Sequence, residues 1–168
     1  GNAYPDFDEG RKYLAPGLFG PCGYGLPSIV GAKIGQPDVP VVGFAGDGAF
    51  GIAVTELTAI GRSEWPAITQ IVFRNYQWGA EKRNSTLWFD DNFVGTELDT
   101  EVSYAGIAQA CGLKGVAART MEELTDVLNT AIKDQMENCV TSLIEVMLNQ
   151  ELGEPFRRDA MKKPVAVD

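Results

Sequence analysis

Residues 41–82 read VVGFAGDGAFGIAVTELTAIGRSEWPAITQIVFRNYQWGAEK, and the fold is decided by the order of apolar and polar residues in this stretch. Val41, Val42, Phe44 and Ala45 form an apolar run of strand length, and Ile68 to Phe73 form a second. Between them, Phe50 to Arg62 carries apolar residues at helical spacing (Phe50, Val54, Leu57) and no proline. Strand, helix, strand predicts a βαβ unit whose two strands are parallel neighbours. Ligands of such sheets sit beyond the carboxyl ends of the strands. Gly46-Asp47-Gly48 follows the first strand and Arg74-Asn75-Tyr76-Gln77 follows the second. Glycines let the backbone approach a phosphate closely, and the helix start behind them offers N–H groups to an anion. The Asp47 carboxylate and the Asn75 amide oxygen, brought from adjacent strand ends, suit a hard cation such as Mg²⁺. That ion takes one or two protein oxygens and fills its other positions with water and phosphate. The layout suggests a pyrophosphate bridged to the protein by magnesium. A tight turn at Gly46–Gly48 and an ordinary loop residue at Asn75 are the plain alternative.

Working outward, 168 residues with 45% hydrophobic and 22% charged composition allow one globular domain with a sizeable core. A net charge of −9 argues against nucleic acid or an anionic membrane as partners. No apolar run reaches membrane-spanning length. Cys22, Cys111 and Cys139 are widely spaced and odd in number, which favours neither a zinc site nor a disulfide framework and fits a reducing cytoplasm. The absence of histidine excludes serine–histidine and cysteine–histidine machinery within this chain. The chain opens on Gly1-Asn2 rather than methionine, which reads as a processed piece or a fragment.

Residues 1–15 read as an extended lead-in, followed by a Gly/Pro-rich segment (residues 16–27) unsuited to regular structure. A helix rich in small residues is expected from Ser28 to Gly35, the small residues allowing close packing. Residues 85–99 read as an irregular loop with a short helix, either a lid or a segment anchored by Trp88, Phe89 and Phe93. Glu101 to Cys111 predicts an amphipathic helix and Gly115 to Ala118 a short strand. Thr120 caps the next helix, with Glu123 at capping-box spacing, and Thr141 to Leu148 is the last core strand. The repeated strand–helix order predicts an α/β fold, a doubly wound parallel sheet with helices on both faces. The tail from Glu151 onward is basic within an acidic chain and reads as solvated, its arginines able to meet an oxyanion if it folds back.

Gly46-Asp47-Gly48 with Asn75 resembles the GDG…NN signature of thiamine-diphosphate-dependent enzymes, with Arg74 in place of the first Asn. Gly20-Pro21-Cys22-Gly23-Tyr24-Gly25-Leu26-Pro27 resembles the segment that lines the cofactor's aminopyrimidine in that family. The resemblance implies thiamine diphosphate and Mg²⁺ as cofactors, with Asp47, Asn75 and the Gln77 backbone carbonyl as metal ligands. It further implies that the Gly20 carbonyl accepts from the 4-amino group. Cys22 would take the place of the apolar wedge between the cofactor rings, as a buried, inert thiol; a plain core cysteine is the alternative. Gly46, Gly48, Ala49, Trp78 and Gly79 fall among the implied cofactor contacts. Glu81 matches the position of an active-site acid in some family decarboxylases, or is a solvated residue at a helix start. Lys82 and Arg83 could meet a sulfonate or phosphate, or form a solvated charge pair.

Within the family, FGPCGYGLPSIVGAK, AGDGAFG, VFRNYQWGAEK, FVGTELD and ELGEPFRRDA resemble sulfoacetaldehyde acetyltransferases, and together they span most of the chain. This implies residues 1–150 as the C-terminal diphosphate-binding domain and residues 151–168 as a tail, the pyrimidine-binding and middle domains lying elsewhere. The implied reaction converts sulfoacetaldehyde and phosphate to acetyl phosphate and sulfite, in taurine degradation, within a cytoplasmic homo-oligomer (dimer or tetramer). The pyrimidine-binding domain of a partner subunit would complete the site. An acetolactate-synthase-like carboligase, a 2-oxoacid decarboxylase and a non-catalytic assembly domain are the rival readings.

Overall fold

The computed structural model describes residues 6–62 and 64–152, so the tail from residue 153 lies outside the described residues. The chain order is α1 (Gly25–Gly35), β1 (Val42–Gly46), α2 (Asp47–Ile52), a 3₁₀ turn (Val54–Glu56), α3 (Leu57–Ile60), β2 (Thr69–Arg74), α4 (Gly79–Trp88), α5 (Tyr104–Ala110), β3 (Lys114–Ala118), α6 (Met121–Glu137) and β4 (Ser142–Met147). All four strands are parallel, in the order β1-β2-β4-β3. The expected β1–β2 pairing is present, in a register that sets Gly46 beside Phe73. Their carboxyl ends therefore finish side by side, and Asp47 and Arg74 leave the sheet together.

Side chains alternate across β4 with the two-residue strand period. Leu143 packs with Ile68 and Val72 under α1, α2, α3 and α5, while Ile144 and Val146 pack with Ala118 and Ile71 beneath α6. Both faces thus carry helices, as the doubly wound reading requires. Among the described residues no helix is long and apolar enough to cross a membrane.

Three local expectations change. The helix predicted over Phe50 to Arg62 begins at Asp47 and breaks after Ile52 into the 3₁₀ turn and α3. Gly48 and Gly51 with β-branched Ile52, Val54 and Thr55 are poor helix formers, so the stretch does not hold one continuous helix. Second, α4 extends to Trp88, its Ser85 and Thr86 hydroxyls donating to carbonyls one turn back, and Phe89 and Phe93 are exposed rather than anchored in a core. Third, the small residues of α1 do not make its contact with the sheet. Gly31 and Gly35 face open space, whereas a Cβ on Gly43 of β1 would lie 2.6 Å from Ile29 Cδ1.

The capping box is half formed. Thr120 Oγ1 accepts from Glu123 N, but the Glu123 carboxylate reaches past the cap to accept from Arg119 N. Elsewhere α5 lies against β3 so closely that a Cβ on Gly115 would sit 2.0 Å from the Ala105 carbonyl oxygen. Gly115→Ala must therefore displace α5, at a cost of about 1–3 kcal/mol. Thermal unfolding should register a clear drop, and an unchanged midpoint would show that this contact is loose.

Candidate functional site

Asp47 is the first residue of α2 and is almost completely buried. A buried carboxylate needs donors. Its Oδ2 accepts from Tyr76 N at 2.7 Å and from Arg74 Nη1 at 3.2 Å, while Oδ1 accepts from Gly48 N at 3.0 Å. The Gly48 N–H is therefore already engaged within the protein. The Tyr104 hydroxyl donates to the Asp47 carbonyl at 3.1 Å, and burial pushes the Tyr104 phenol above its ordinary pKa. These bonds aim the second lone pairs of Oδ1 away from the helix and toward the loop after β2.

That loop turns sharply at Tyr76, whose φ of 61° is left-handed, a conformation that a bulky residue adopts only when its surroundings hold it there. The holding groups are present. Tyr76 N donates to Asp47, its ring stacks 4.5 Å from the Arg74 guanidinium carbon, and its carbonyl accepts from Leu98 N. Trp78 N donates to Thr96 O, and Gln77 bridges Glu97. The turn swings the Gln77 carbonyl back to the Asn75 amide, which lies between it and Asp47.

The result is a cluster of three oxygens. One terminal atom of the Asn75 amide stands 3.2 Å from Asp47 Oδ1 and 3.0 Å from the Gln77 carbonyl oxygen, an oxygen there completing the three and a nitrogen there donating to both. Acceptors so close repel unless a cation lies among them, or unless the amide turns over and donates Nδ2 to both. Neighbouring oxygens in an octahedral Mg²⁺ shell with bonds of about 2.0–2.1 Å are about 3 Å apart, so the set fits that ion in its spacing and its chemistry. The flank of Gly46 is open as well, a Cβ there meeting nothing within 4 Å, which leaves room for a ligand at the end of β1. Among the described residues no three His, Cys, Asp or Glu gather as a metal set, so any cation here depends on amide and carbonyl oxygens.

Residues 1–146 match the family of the thiamine pyrophosphate enzyme C-terminal TPP-binding domain. The chain belongs to that family. It is 83% identical over 99% of its length to sulfoacetaldehyde acetyltransferase of Roseovarius nubinhibens, and 78% identical over 99% to that of Rhodobacter capsulatus. In both cases it spans only 28% of the relative's length. Benzoylformate decarboxylase from Polynucleobacter necessarius is similar in structure, with a TM-score of 0.66 at 27% identity, over 80% of this chain and 25% of that one.

In this thiamine-diphosphate-binding domain the predicted residues fall into two groups. Asp47, Asn75 and Gln77 converge, with Gly46, Gly48, Ala49, Trp78 and Gly79 around them. The Trp78 ring lies over Gly48, and a Cβ on Gly79 would come 3.4 Å from Asn75 Nδ2. The second group stands apart. Gly20 and Cys22 are exposed in a segment of turns, so the expectation of a buried Cys22 is corrected for this chain. Glu81 is exposed in the first turn of α4. Lys82 pairs with Glu97 rather than standing free for an anion.

Sequence reasoning missed Tyr104 and Glu145 and treated Arg74 only as a replacement. Glu145 carried a usable signal, a lone charge inside the apolar run Leu143-Ile144-Glu145-Val146, because a charge in a buried strand requires a partner. A Cβ on Gly48 would lie 2.8–2.9 Å from three Trp78 ring carbons. Gly48→Ala should therefore move the indole and shift the tryptophan emission. An unaltered spectrum would mean that Trp78 is not held against the turn.

Proposed function

We propose that this chain is the diphosphate- and Mg²⁺-binding half of an active site that converts sulfoacetaldehyde and phosphate to acetyl phosphate and sulfite. The observation that carries the substrate reading is the 83% identity, sustained over 99% of the chain, to a sulfoacetaldehyde acetyltransferase. Benzoylformate decarboxylase, at 27%, is far more distant, which weighs against the 2-oxoacid decarboxylase reading. The convergence of Asp47, Asn75 and the Gln77 carbonyl at adjacent strand ends weighs against a purely structural assembly domain, which has no chemical need of that set.

In this reading Asp47 Oδ1, the Asn75 amide oxygen and the Gln77 carbonyl would hold Mg²⁺, which would supply positive charge for a diphosphate. Gly46 keeps the end of β1 clear, Ala49 offers its N–H from the first turn of α2, and Trp78 and Gly79 wall the other side. Thiamine diphosphate, once bound, supplies carbanion chemistry that no protein side chain provides. The Gly20 carbonyl would accept from the aminopyrimidine, and Cys22 would offer it a small apolar surface where a partner covers the exposed segment. Glu81, exposed in the first turn of α4, is the active-site acid of this reading. The pyrimidine-binding domain of a partner subunit completes the site, which makes the working protein a homo-oligomer. A cytoplasmic enzyme of taurine degradation is the setting consistent with these parts.

Two experiments test the reading. The enzyme at the full length of its relatives should release sulfite from sulfoacetaldehyde only when thiamine diphosphate, Mg²⁺ and phosphate are all present, and the 168-residue chain alone should release none. Carbon dioxide from a 2-oxoacid in place of sulfite would transfer the chain to the rival class. In the same enzyme Asp47→Ala should abolish Mg²⁺-dependent cofactor binding, measured by calorimetric titration. Unchanged binding would favour the assembly role.

A further inference from the structure

Arginine beside a metal-binding carboxylate is electrostatically awkward. Its positive charge repels a cation and neutralises the ligand that should attract one. Arg74 is nevertheless buried to 1% exposure with Nη1 3.2 Å from Asp47 Oδ2. Its remaining surroundings explain how this is tolerated. Nη2 donates to the carbonyls of Asp99 and Val102, the latter at 2.9 Å, and the guanidinium lies between the rings of Tyr76 and Tyr104, 4.5 and 5.1 Å from their centroids. Nε faces Glu145 Oε1 at 3.4 Å, an ion pair rather than a hydrogen bond, since Nε has no acceptor in hydrogen-bonding geometry. Glu145, itself 2% exposed, is fixed through Oε2 by Ser103 Oγ at 3.2 Å and Ala105 N at 3.1 Å.

The charges of Asp47, Arg74 and Glu145 sum to one negative charge, the same as an isolated aspartate would bring. We propose that Glu145 is a positioning residue for the metal site: it absorbs the charge of Arg74, so that Asp47 keeps its own toward a cation held with Asn75 and Gln77. Arg74 then contributes geometry without loss of attraction, holding Oδ2 and leaving Oδ1 for the ion. This rests on the Mg²⁺ reading of the three-oxygen cluster. It adds that the cluster's affinity is set from β4, by a side chain that touches neither the ion nor the substrate.

The inference is tested on the full-length enzyme by titrating Mg²⁺ at fixed thiamine diphosphate and following cofactor binding, without substrate. Glu145→Gln keeps the shape and an acceptor for Ala105 N but leaves Arg74 to neutralise Asp47. Mg²⁺ affinity should fall by about 10- to 100-fold, the range for groups that act on a metal through its ligands. The charge-balanced pair Glu145→Gln with Arg74→Asn should recover most of that loss, a non-additivity expected only of coupled residues. Wild-type affinity in E145Q overturns the inference, as does a double variant no better than the single one. Should E145Q fail to fold, the double variant alone decides: it must bind Mg²⁺ within a few-fold of wild type. If the wild-type enzyme binds the cofactor without Mg²⁺, the metal reading falls and this inference falls with it. If binding needs Mg²⁺ and is indifferent to position 145, only the present inference fails.

Discussion

A carboxylate with almost no contact with water stands at the end of β1, and much of the surrounding structure is arranged to supply it with hydrogen-bond donors. Asp47 receives two backbone N–H donors, one from its own helix and one from the loop after β2, and a guanidinium from β2 itself. Each donor costs the chain something elsewhere. Tyr76 takes a left-handed backbone so that its N–H can point at Asp47, and Arg74 gives up its hydration. Breaking one partner of such a buried set leaves an uncompensated charge, which is why these sites are rigid. That rigidity fixes the turn and, with it, the direction of the Gln77 carbonyl.

The same interaction ties the site to the order of the described strands. Parallel pairing of β1 and β2 brings Asp47 and Asn75 together, and insertion of β4 beside β2 brings Glu145 within reach of Arg74. Helix α5 then closes the arrangement from above. Its cap residue Ser103 and the Ala105 N–H take Glu145, while Tyr104 takes the Asp47 carbonyl and covers the guanidinium. Three strands and one helix thus meet at a single buried charge network. The Gly20–Cys22 segment and Glu81, by contrast, face solvent, and the chain spans 28% of its longer relatives. The Asp47 end is enclosed by the described residues, and these positions are not.

Local chemistry made much of this legible before any coordinates. The apolar runs at 41–45, 68–73 and 141–148 became strands within a residue or two of their expected limits, because a buried strand cannot be written with polar residues on both faces. The parallel order followed from strand–helix–strand connectivity. Gly46-Asp47-Gly48 and Asn75 were recognisable because ligand chemistry constrains residue type. Where propensity was weak the reading failed. The stretch after Gly48 broke into short helical pieces, and α4 ran through Trp88 into the segment whose mix of aromatics and acids read as an irregular loop with a short helix.

By itself the sequence determined the fold class and the two adjacent strand ends at which Asp47 and Asn75 meet. Periodicity and residue type are local properties and survive without knowledge of neighbours. Only the tertiary structure decided that β4 lies between β2 and β3, that Arg74 points inward between two carboxylates, and that Tyr76 reverses the chain. Strand order and side-chain pairing depend on residues such as Asp47 and Glu145 that are far apart along the chain. The Coulomb and desolvation terms that tie them together act through space, where the sequence has no coordinate.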